Sequence, residues 1–387
     1  MGLAESYDHF AQDYFENPFP LWQRLRDEEP VARSEVHGGY YIVSRYEDIR
    51  EAAKDTARFS SAQSTGIPPL PIVGMIPIDI DPPDQREYRL ILNPAFSVEE
   101  VNKHEGRVRD LVIELIEPLV AQPEFEVTEA LATQLPPRTT LEFIGVPRED
   151  WPVVIKAVDD ITRLRGSDPQ EVVEAGMALM GAIGKLIEER KVTPGDDLVD
   201  LIMASKFQDR DLEDHEIIRM IAIILFGAID TTSLAITGSL YYLATHPEEQ
   251  TRLREEGVSH SAVEELVRWT CPVQGLGRTV TQDTELGGCP LKKDDKVMLM
   301  WASGNRQESV FPEPDRMDFD RRPNPHLGFG HGPHKCVGLN FGKLMLRIVL
   351  DEFLQRIGPF ELADPEGIVY VGGETRGIKR LVLRPAS

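Results

Sequence analysis

The chain is poor in several features that would each point to a class of protein. Three cysteines among 387 residues are too few for a disulfide framework and favour a reducing compartment. Lysine and arginine total 42 against 65 acidic residues, so the basic surplus of a nucleic-acid-binding surface is missing. The first residues, MGLAES, hold no apolar signal or anchor, and we discount their match to the loose myristoylation pattern. We expect a cytoplasmic protein that has no membrane anchor and binds no nucleic acid.

No serine- or glycine-rich linker, repeat or low-complexity tract divides the chain, and its motifs run from residue 81 to residue 338. We therefore expect one domain over 1–387. Helical patterning dominates, at 99–120, at 151–191 with a break near 166–169, and at 213–245. Strand-like segments are few, at 40–43, 296–300 and 379–383. The sequence predicts a mainly α fold with minor β.

Residues 329–338 (FGHGPHKCVG) form a glycine-punctuated loop that delivers one cysteine to the start of a predicted helix. Apolar residues recur at helical spacing from Leu339 to Leu350. At a helix N-terminus, the dipole and the free N–H groups lower the pKa of a thiol such as Cys336. With Phe329 as an aromatic wall, a thiolate held there suits a haem iron that needs an axial ligand.

Two other interpretations of this loop are open. A lone cysteine is commonly a small buried hydrophobic residue. Alternatively, His331, His334 and Cys336 are zinc ligands, although H-x2-H-x-C is not a common zinc spacing. Cys271 and Cys289 would then have to complete the site.

The loop resembles F-G-x-G-x-H-x-C-x-G, the haem-binding loop of the cytochromes P-450, which are haem-thiolate monooxygenases. The resemblance implies that Cys336 is the axial ligand of a haem b iron (iron protoporphyrin IX) and that His334 contacts a haem propionate. Phe329 would lie beside the cofactor. It also implies the family's triangular helical prism with small β-sheets, the haem lying between the long central helix and the cysteine loop.

Glu265 and Arg268 resemble the family's ExxR motif. At i and i+3 the two side chains share one helix face and can pair, although a solvated surface pair would have the same spacing. The resemblance implies a buried pair that a second arginine joins, and Arg321, after the proline-rich segment 311–315, is the candidate. Arg278 matches a family arginine that binds a propionate.

The long helix near 213–245 is apolar on every side over residues 220–229, which predicts a helix through the core. We expect these ten residues to be too few to span a membrane. Residues 227–232 (GAIDTT) resemble the family's [A/G]-G-x-[D/E]-T-T, with Ala228 where glycine is commoner. By this resemblance Asp230 relays protons and Thr231 donates them, while the Thr231 hydroxyl reaches the Gly227 carbonyl and loosens the helix. A surface salt bridge and an ordinary helical threonine are the alternatives.

Residues 81–89 (DPPDQREYR) predict a helix start that places Gln85 and Arg89 one turn apart on one face. The family often has His-x3-Arg here, with both side chains on a propionate. The resemblance implies that Arg89 contacts the propionate. Gln85 occupies the position of the family's histidine, so its contact follows from position alone. A solvated helix face is the alternative.

By position in the family, six residues would line the distal pocket: Ile223, Phe226, Gly227, Val273, Gln274 and Leu276. Gln274 is the polar residue that would orient a substrate hydroxyl or carbonyl. Segment 64–76, rich in proline, glycine and apolar residues, is predicted to cover the substrate. The resemblance implies insertion of one atom of O2 into a small apolar molecule, such as a terpenoid or small aromatic compound.

No cysteine pattern for an iron–sulfur cluster and no flavin motif is present, so electrons would come from a separate ferredoxin-type carrier. Its docking patch would contain Arg86, Lys335, Lys343 and Arg347. A peroxide-using peroxygenase of the same fold and a non-enzymatic haem or metal sensor are the alternative functions. The acid–alcohol pair at 230–231 has no use in a sensor.

Overall fold

The computed structural model describes residues 2–69, 74–164 and 168–386. Its α-helices over these ranges are α1 (Gln12–Glu16), α2 (Phe19–Glu28), α3 (Tyr46–Lys54), α4 (Asp84–Leu92), α5 (Val98–Asn102), α6 (Glu105–Ile116), α7 (Leu135–Ile144), α8 (Trp151–Leu164), α9 (Pro169–Val192), α10 (Leu198–Met203), α11 (Asp214–Thr245), α12 (Pro247–Glu256), α13 (His260–Thr270), α14 (Trp301–Gly304) and α15 (Leu339–Arg356).

The strands are short and form small sheets. They are β1 (Val31–Ser34), β2 (Tyr40–Val43), β3 (Phe59–Ser60), β4 (Phe125–Glu126), β5 (Lys206–Phe207), β6 (Arg210–Asp211), β7 (Leu276–Val280), β8 (Thr284–Leu286), β9 (Cys289–Leu291), β10 (Lys296–Leu299), β11 (Phe360–Leu362), β12 (Val369–Val371), β13 (Gly377–Arg380) and β14 (Val382–Pro385). One five-stranded sheet has the order β1-β2-β10-β7-β3, and a three-stranded sheet has the order β11-β14-β4. The predicted mainly α fold with minor β is confirmed.

Helix α11 organises the helical part of the molecule, packing against α7, α9, α13 and α15. Its N-terminus is closed by a capping box in which the side chains of Glu213 and Glu216 satisfy each other's backbone N–H groups. It ends before Pro247, which has no N–H to continue the hydrogen-bond ladder. Most of the helix is buried, as the all-round apolar pattern predicted.

The prediction that this segment is too short to span a membrane was wrong, because it counted only the ten apolar residues 220–229 and not the whole helix. Among the described residues, α11 is the one helix whose length and composition would let it cross a bilayer. However, 61% of its most apolar window is buried inside the protein. Burial against neighbouring helices accounts for the apolar surface of α11 without a membrane.

Two other predicted elements differ from those observed. The predicted helix 99–120 is divided into α5, α6 and a 3-10 turn at Glu117–Leu119. The predicted strand 379–383 is two strands, β13 and β14, interrupted at Leu381, whose N–H donates to the Glu126 carboxylate at 2.8 Å. Of the predicted break near 166–169, residues 166 and 167 lie outside the described residues, and α9 begins at Pro169.

The buried apolar residues form two clusters. The larger one joins the helices, including α6, α11 and α15. The smaller one lies around the five-stranded sheet with α2 and α3. Residues of both clusters, among them Phe341 of the larger and Trp301 of the smaller, line one cavity. The fold therefore places its main hollow where the two clusters meet.

Candidate active site

The cysteine loop is a tight turn that needs glycine at two places. Gly330 and Gly332 have φ of +69° and +74°, a region that favours glycine. A Cβ on Gly332 would lie 2.3 Å from the carbonyl oxygen of Ala53, so α3 packs directly on the loop backbone. The Cys336 N–H donates to the Phe329 carbonyl at 2.8 Å and closes the loop. Cys336 precedes the start of α15 by three residues.

Cys336 lines the cavity and is exposed to it. Burial raises its pKa, and the Gly338 N–H and the charge of Arg89 only partly oppose this effect. The expected lowering of the pKa at the helix N-terminus is therefore wrong for the loop by itself. A metal cation bound at the sulfur would favour the thiolate.

Arg278, Arg89 and His334 converge on the same cavity. Arg278 is 2% exposed, and burial lowers its pKa to about 10 against the opposing charges of Asp81 and Asp79. Burial likewise lowers the pKa of Arg89, whose Nη1 donates to the Lys335 carbonyl at 2.7 Å.

His334 is held neutral in this environment. Burial, followed by the charges of Arg278 and Arg89, lowers its pKa to about 3. Its Nε2 and the Nε of Arg278 are buried without a hydrogen-bond partner among the described residues. Buried polar groups are normally satisfied, so this end of the cavity fits a ligand with carboxylates. Together with the thiol of Cys336, the set fits a haem bound through its iron and its propionates.

Gln85 also lines this end of the cavity, but its amide has another partner. Its Nε2 donates to the carbonyl of Pro333 at 2.8 Å. Gln85 and Arg89, one turn apart on α4 as predicted, thus bind the loop backbone on either side of His334.

On α11, the Thr231 hydroxyl donates to the Gly227 carbonyl at 2.8 Å, as predicted. The helix nevertheless stays α-helical through these residues, so the expected loosening is not present in the described structure. The neighbouring Asp230 accepts a hydrogen bond from Thr375, not from Thr231. Burial raises the pKa of Asp230, while Thr375 and Lys379 lower it. The alternative of a surface salt bridge does not describe this carboxyl.

The cavity has a volume of about 1120 Å³. Five of the six predicted pocket residues line it: Ile223, Phe226, Gly227, Val273 and Leu276. Gln274 does not line it, and its predicted role in orienting the substrate is wrong. The Gln274 side chain is 2% exposed and donates through Nε2 to the Gly373 carbonyl at 3.0 Å. It therefore holds a turn of the backbone.

The predicted covering segment is described in part, since residues 70–73 lie outside the described residues. Thr65 and Met75, on its two described sides, line the cavity. Their backbone N–H groups donate to the carboxylate of Asp79 at 3.1 and 2.8 Å. One half-buried carboxylate thus ties both sides of the segment together.

Glu265, Arg268 and Arg321 form the predicted buried network. Arg268 donates to both Glu265 carboxylate oxygens at 2.7 and 2.8 Å, and Arg321 Nε lies 3.1 Å from one of them. Arg268 also donates to the Asn305 carbonyl, and the Asn305 side-chain oxygen accepts from Leu327 N–H at 2.6 Å. Leu327 stands two residues before Phe329, so the network fixes the entry to the cysteine loop.

The zinc interpretation of the loop is not supported. Within the described ranges, the one cluster of at least three potential metal-binding side chains is Asp8, His9 and His37, which includes no residue of the cysteine loop. Cys271 is buried, and its thiol is near the Val273 carbonyl at 3.4 Å.

Sequence reasoning missed several residues of the cavity. Phe10 and Phe15 come from the N-terminal segment, and Lys156 and Asp159 come from α8. Residues 370–375, around the turn between β12 and β13, complete the lining. No sequence motif marks the two phenylalanines or the two α8 residues as part of a site. The Gly372-Gly373 pair is a turn signal that could have indicated the last group.

Comparison with known proteins is consistent with this geometry. A family model described as Cytochrome P450 matches residues 141–367. The chain belongs to the cytochrome P450 family. Linalool 8-monooxygenase of Pseudomonas putida is 32% identical over 366 residues, which cover 89% of this chain and 90% of that protein. Cytochrome P450 130 of Mycobacterium tuberculosis is 32% identical over 395 residues, covering 96% and 95%.

Solved P450 structures share the whole fold. CYP109E1 of Bacillus megaterium, in complex with testosterone, matches with a TM-score of 0.88 and 27% identity over 97% of this chain and 99% of that one. CYP268A2 of Mycobacterium marinum, in complex with pseudoionone, matches with a TM-score of 0.87 and 27% identity, covering 98% and 99%. The predicted P450 fold is confirmed, and the chain is a P450 monooxygenase with a haem-thiolate cofactor.

Proposed function

We propose that this P450 hydroxylates or epoxidises a terpenoid, or failing that a small aromatic compound, with electrons from a separate ferredoxin-type carrier. The observation that carries this proposal is one cavity of about 1120 Å³ with the acid–alcohol pair of α11 and the thiol of Cys336 in its lining. Between them the lining is largely apolar, with Ile223, Phe226 and Leu276 among its side chains. Apolar walls with few polar groups favour an apolar substrate.

The names of related proteins support a terpenoid. Linalool 8-monooxygenase and Cytochrome P450-terp are 32% and 30% identical to this chain, and the neighbour from Mycobacterium marinum is described with pseudoionone. The test is a titration of the haem-loaded enzyme with linalool and, separately, with toluene, following the haem absorption. We expect saturable binding of linalool and an oxygenated product. Neither binding nor product with linalool would contradict the terpenoid assignment.

When bound, the haem-thiolate group activates O2 with two electrons and two protons, so that one oxygen atom enters the substrate and the other leaves as water. We propose that it is haem b, with Cys336 as ligand and with Arg89, Arg278 and His334 on its two propionates. The buried guanidinium group of Arg278 and the half-buried one of Arg89 would provide charge-assisted hydrogen bonds to these carboxylates. The proposed role of Asp230 is to take protons from solvent and pass them towards Thr231, whose hydroxyl both accepts and donates.

Replacing Thr231 with alanine tests this role. Because a positioned proton donor typically contributes about 10²-fold or more, T231A should consume NADPH while most electrons leave as hydrogen peroxide. The measurement is product and peroxide formed per NADPH. The matched control is T245A at the C-terminal end of α11, where the hydroxyl also donates to backbone carbonyls. Full coupling in T231A would contradict the relay and favour the peroxygenase alternative.

We propose a docking patch for the electron carrier that differs in part from the predicted set of Arg86, Lys335, Lys343 and Arg347. Lys343 donates to Glu264 at 2.7 Å and Arg347 to Glu105 at 2.9 Å, so two of the four predicted residues are already paired. Arg86 and Lys335 are exposed. Lys54 and Arg50 add charge beside the loop, since both lower the pKa of His331 together with Lys335 and burial.

Reversing the charge at Lys335 tests the patch. K335E should slow reduction by a plant-type [2Fe–2S] ferredoxin by about tenfold at low salt, because complementary charges steer association, and the difference should shrink as salt is added. Stopped-flow reduction at several ionic strengths measures it. The control is K185E on α9, where the exposed Lys185 pairs with Asp150. Equal rates for K335E and K185E would exclude this face as the docking site.

We also propose that residues 1–387 form a single cytoplasmic domain. Matches over 89–97% of the chain to whole P450 proteins support one domain. The buried position of α11 supports a protein without a membrane anchor.

A further inference from the structure

The turn between β12 and β13 is fixed by the segment that follows α13. Gln274 N–H donates to the Glu374 carbonyl and Arg376 N–H to the Pro272 carbonyl, both at 2.7 Å. Val273 and Thr375 form an isolated antiparallel bridge between these two hydrogen bonds. The Gln274 side chain adds its bond to Gly373. The backbone of Thr375 is therefore held on both sides, which limits the positions that its side chain can reach.

The hydroxyl of Thr375 donates to Oδ2 of Asp230 at 2.9 Å. Within the described part of the chain, this is the one hydrogen bond made to the Asp230 carboxylate. Asp159 on α8 and Lys379 on β13 act on Asp230 through their charges, and Lys156 of α8 and Glu374 of the turn line the same cavity. A neutral hydroxyl thus orients the carboxyl of Asp230, and no cationic side chain of the described residues is hydrogen-bonded to it.

This choice of partner has a chemical consequence. A bonded lysine or arginine would keep the carboxyl ionised, whereas a hydroxyl fixes its orientation with a smaller bias towards the charged form. Burial acts in the opposite direction and favours the neutral acid. Because the hydrogen bond and burial act on the pKa in opposite directions, the Asp230 carboxyl can take up a proton from solvent and then release a proton into the cavity. After both transfers it is back in its starting protonation state.

We infer that Thr375 is a positioning residue for proton delivery, which holds the Asp230 carboxyl at the cavity edge beside Thr231. This inference rests on the proposed role of Asp230 and adds a residue outside α11 to it. The same turn is tied to the covering segment, because Ile67 N–H donates to the Glu374 carboxylate at 3.1 Å. The orientation of the Asp230 carboxyl is thereby linked both to the turn between β12 and β13 and to the covering segment.

The experiment uses the haem-loaded enzyme without substrate, so that it does not depend on the terpenoid assignment. A plant-type ferredoxin and its NADPH-dependent reductase supply electrons, and the share of O2 reduced to water is compared with the share reduced to hydrogen peroxide. Water needs four electrons and four protons per O2 and peroxide needs two of each, so poor proton delivery shifts the balance to peroxide. The variants are T375V, which is nearly isosteric, T375S, and the control T251V on the exposed face of α12.

T375V should lower the water share at least about threefold at its own optimum pH, and T375S should restore it, because serine keeps the hydroxyl. The hydrogen bond from Thr375 lowers the pKa of Asp230, so its loss in T375V should raise that pKa. Water formation should therefore decline with rising pH at a pH about one unit higher in T375V than in wild type. T251V should match wild type. A normal water share in T375V, or an equal defect in T375S and T375V, would overturn the inference.

A thermal-unfolding cycle of wild type, T375V, D230A and the double variant tests the contact without any turnover, because alanine removes the acceptor that asparagine would keep. D230N, which keeps the shape of the side chain, is used for the measurement of water formation. Non-additive shifts in the unfolding midpoint support the hydrogen bond, and additive shifts overturn it. If the cycle is non-additive but water formation is unchanged in both T375V and D230N, the proposed relay itself fails. If only D230N changes water formation, the relay stands and the role of Thr375 fails.

Discussion

Replacing Cys336 with serine is expected to remove the strongly red-shifted absorption band that carbon monoxide gives with reduced, thiolate-ligated haem. Monooxygenase activity should fall by more than the ~100-fold that loss of an outer partner of a metal ligand typically costs. Serine has an oxygen in place of the sulfur, so it cannot supply a thiolate ligand to the iron. The geometry should change little, since the loop is closed by the backbone bond from residue 336 to Phe329 and by glycines with positive φ.

The matched control is C289S, which changes a half-buried cysteine on β9 outside the cavity lining. It should retain both the absorption band and the activity. Haem content is measured in parallel, so that loss of the cofactor is separated from a change of ligand. A C336S protein that keeps the red-shifted band would show that another group is the axial ligand.

Replacing Glu265 with glutamine should have the largest effect on stability. The change leaves the guanidinium groups of Arg268 and Arg321 buried without their counter-charge, and breaking such a network costs about 3–5 kcal/mol. Because Arg268 and Asn305 connect the network to Leu327, the cysteine loop should lose its fixed entry and the protein should retain less haem. Denaturant unfolding and the haem-to-protein ratio after purification measure the two effects.

The control for this prediction is E313Q in the neighbouring proline-rich segment. Its carboxylate pairs with Arg316 at the surface, where both side chains are about 70% exposed, and such pairs contribute about 0–1 kcal/mol. E313Q should therefore unfold and bind haem like wild type. If E265Q were destabilised no more than E313Q, the network would not be what fixes the loop.

The parts of the site that the sequence predicted depend on short separations along the chain. Thr231 reaches Gly227 four residues back, and Glu265 pairs with Arg268 three residues on, because helix geometry brings such positions together. The loop glycines around Cys336 are likewise a local requirement of the backbone. Arg321 was found across a long separation only because a family motif placed it.

The errors arose where the outcome depends on contacts between distant segments. Gln274 was taken for a polar pocket residue, but a turn 99 residues away takes up its amide. The hydrogen-bond partner of Asp230 was not predicted at all, because Thr375 is 145 residues away. The lowered pKa expected for Cys336 followed from helix position alone, and the burial that reverses it comes from the tertiary fold.

The two bonds from α4 to the cysteine loop have a thermodynamic consequence. Gln85 and Arg89 hold the carbonyls of Pro333 and Lys335, while Arg89 also presents its charge to the space where the cofactor's carboxylates would lie. Closing the loop and binding the cofactor are therefore linked equilibria. Binding of the cofactor should raise the free energy of unfolding, and tighter binding should raise it more. A cell short of iron or porphyrin would hold a population of this chain with a looser loop, more open to proteolysis than the loaded enzyme.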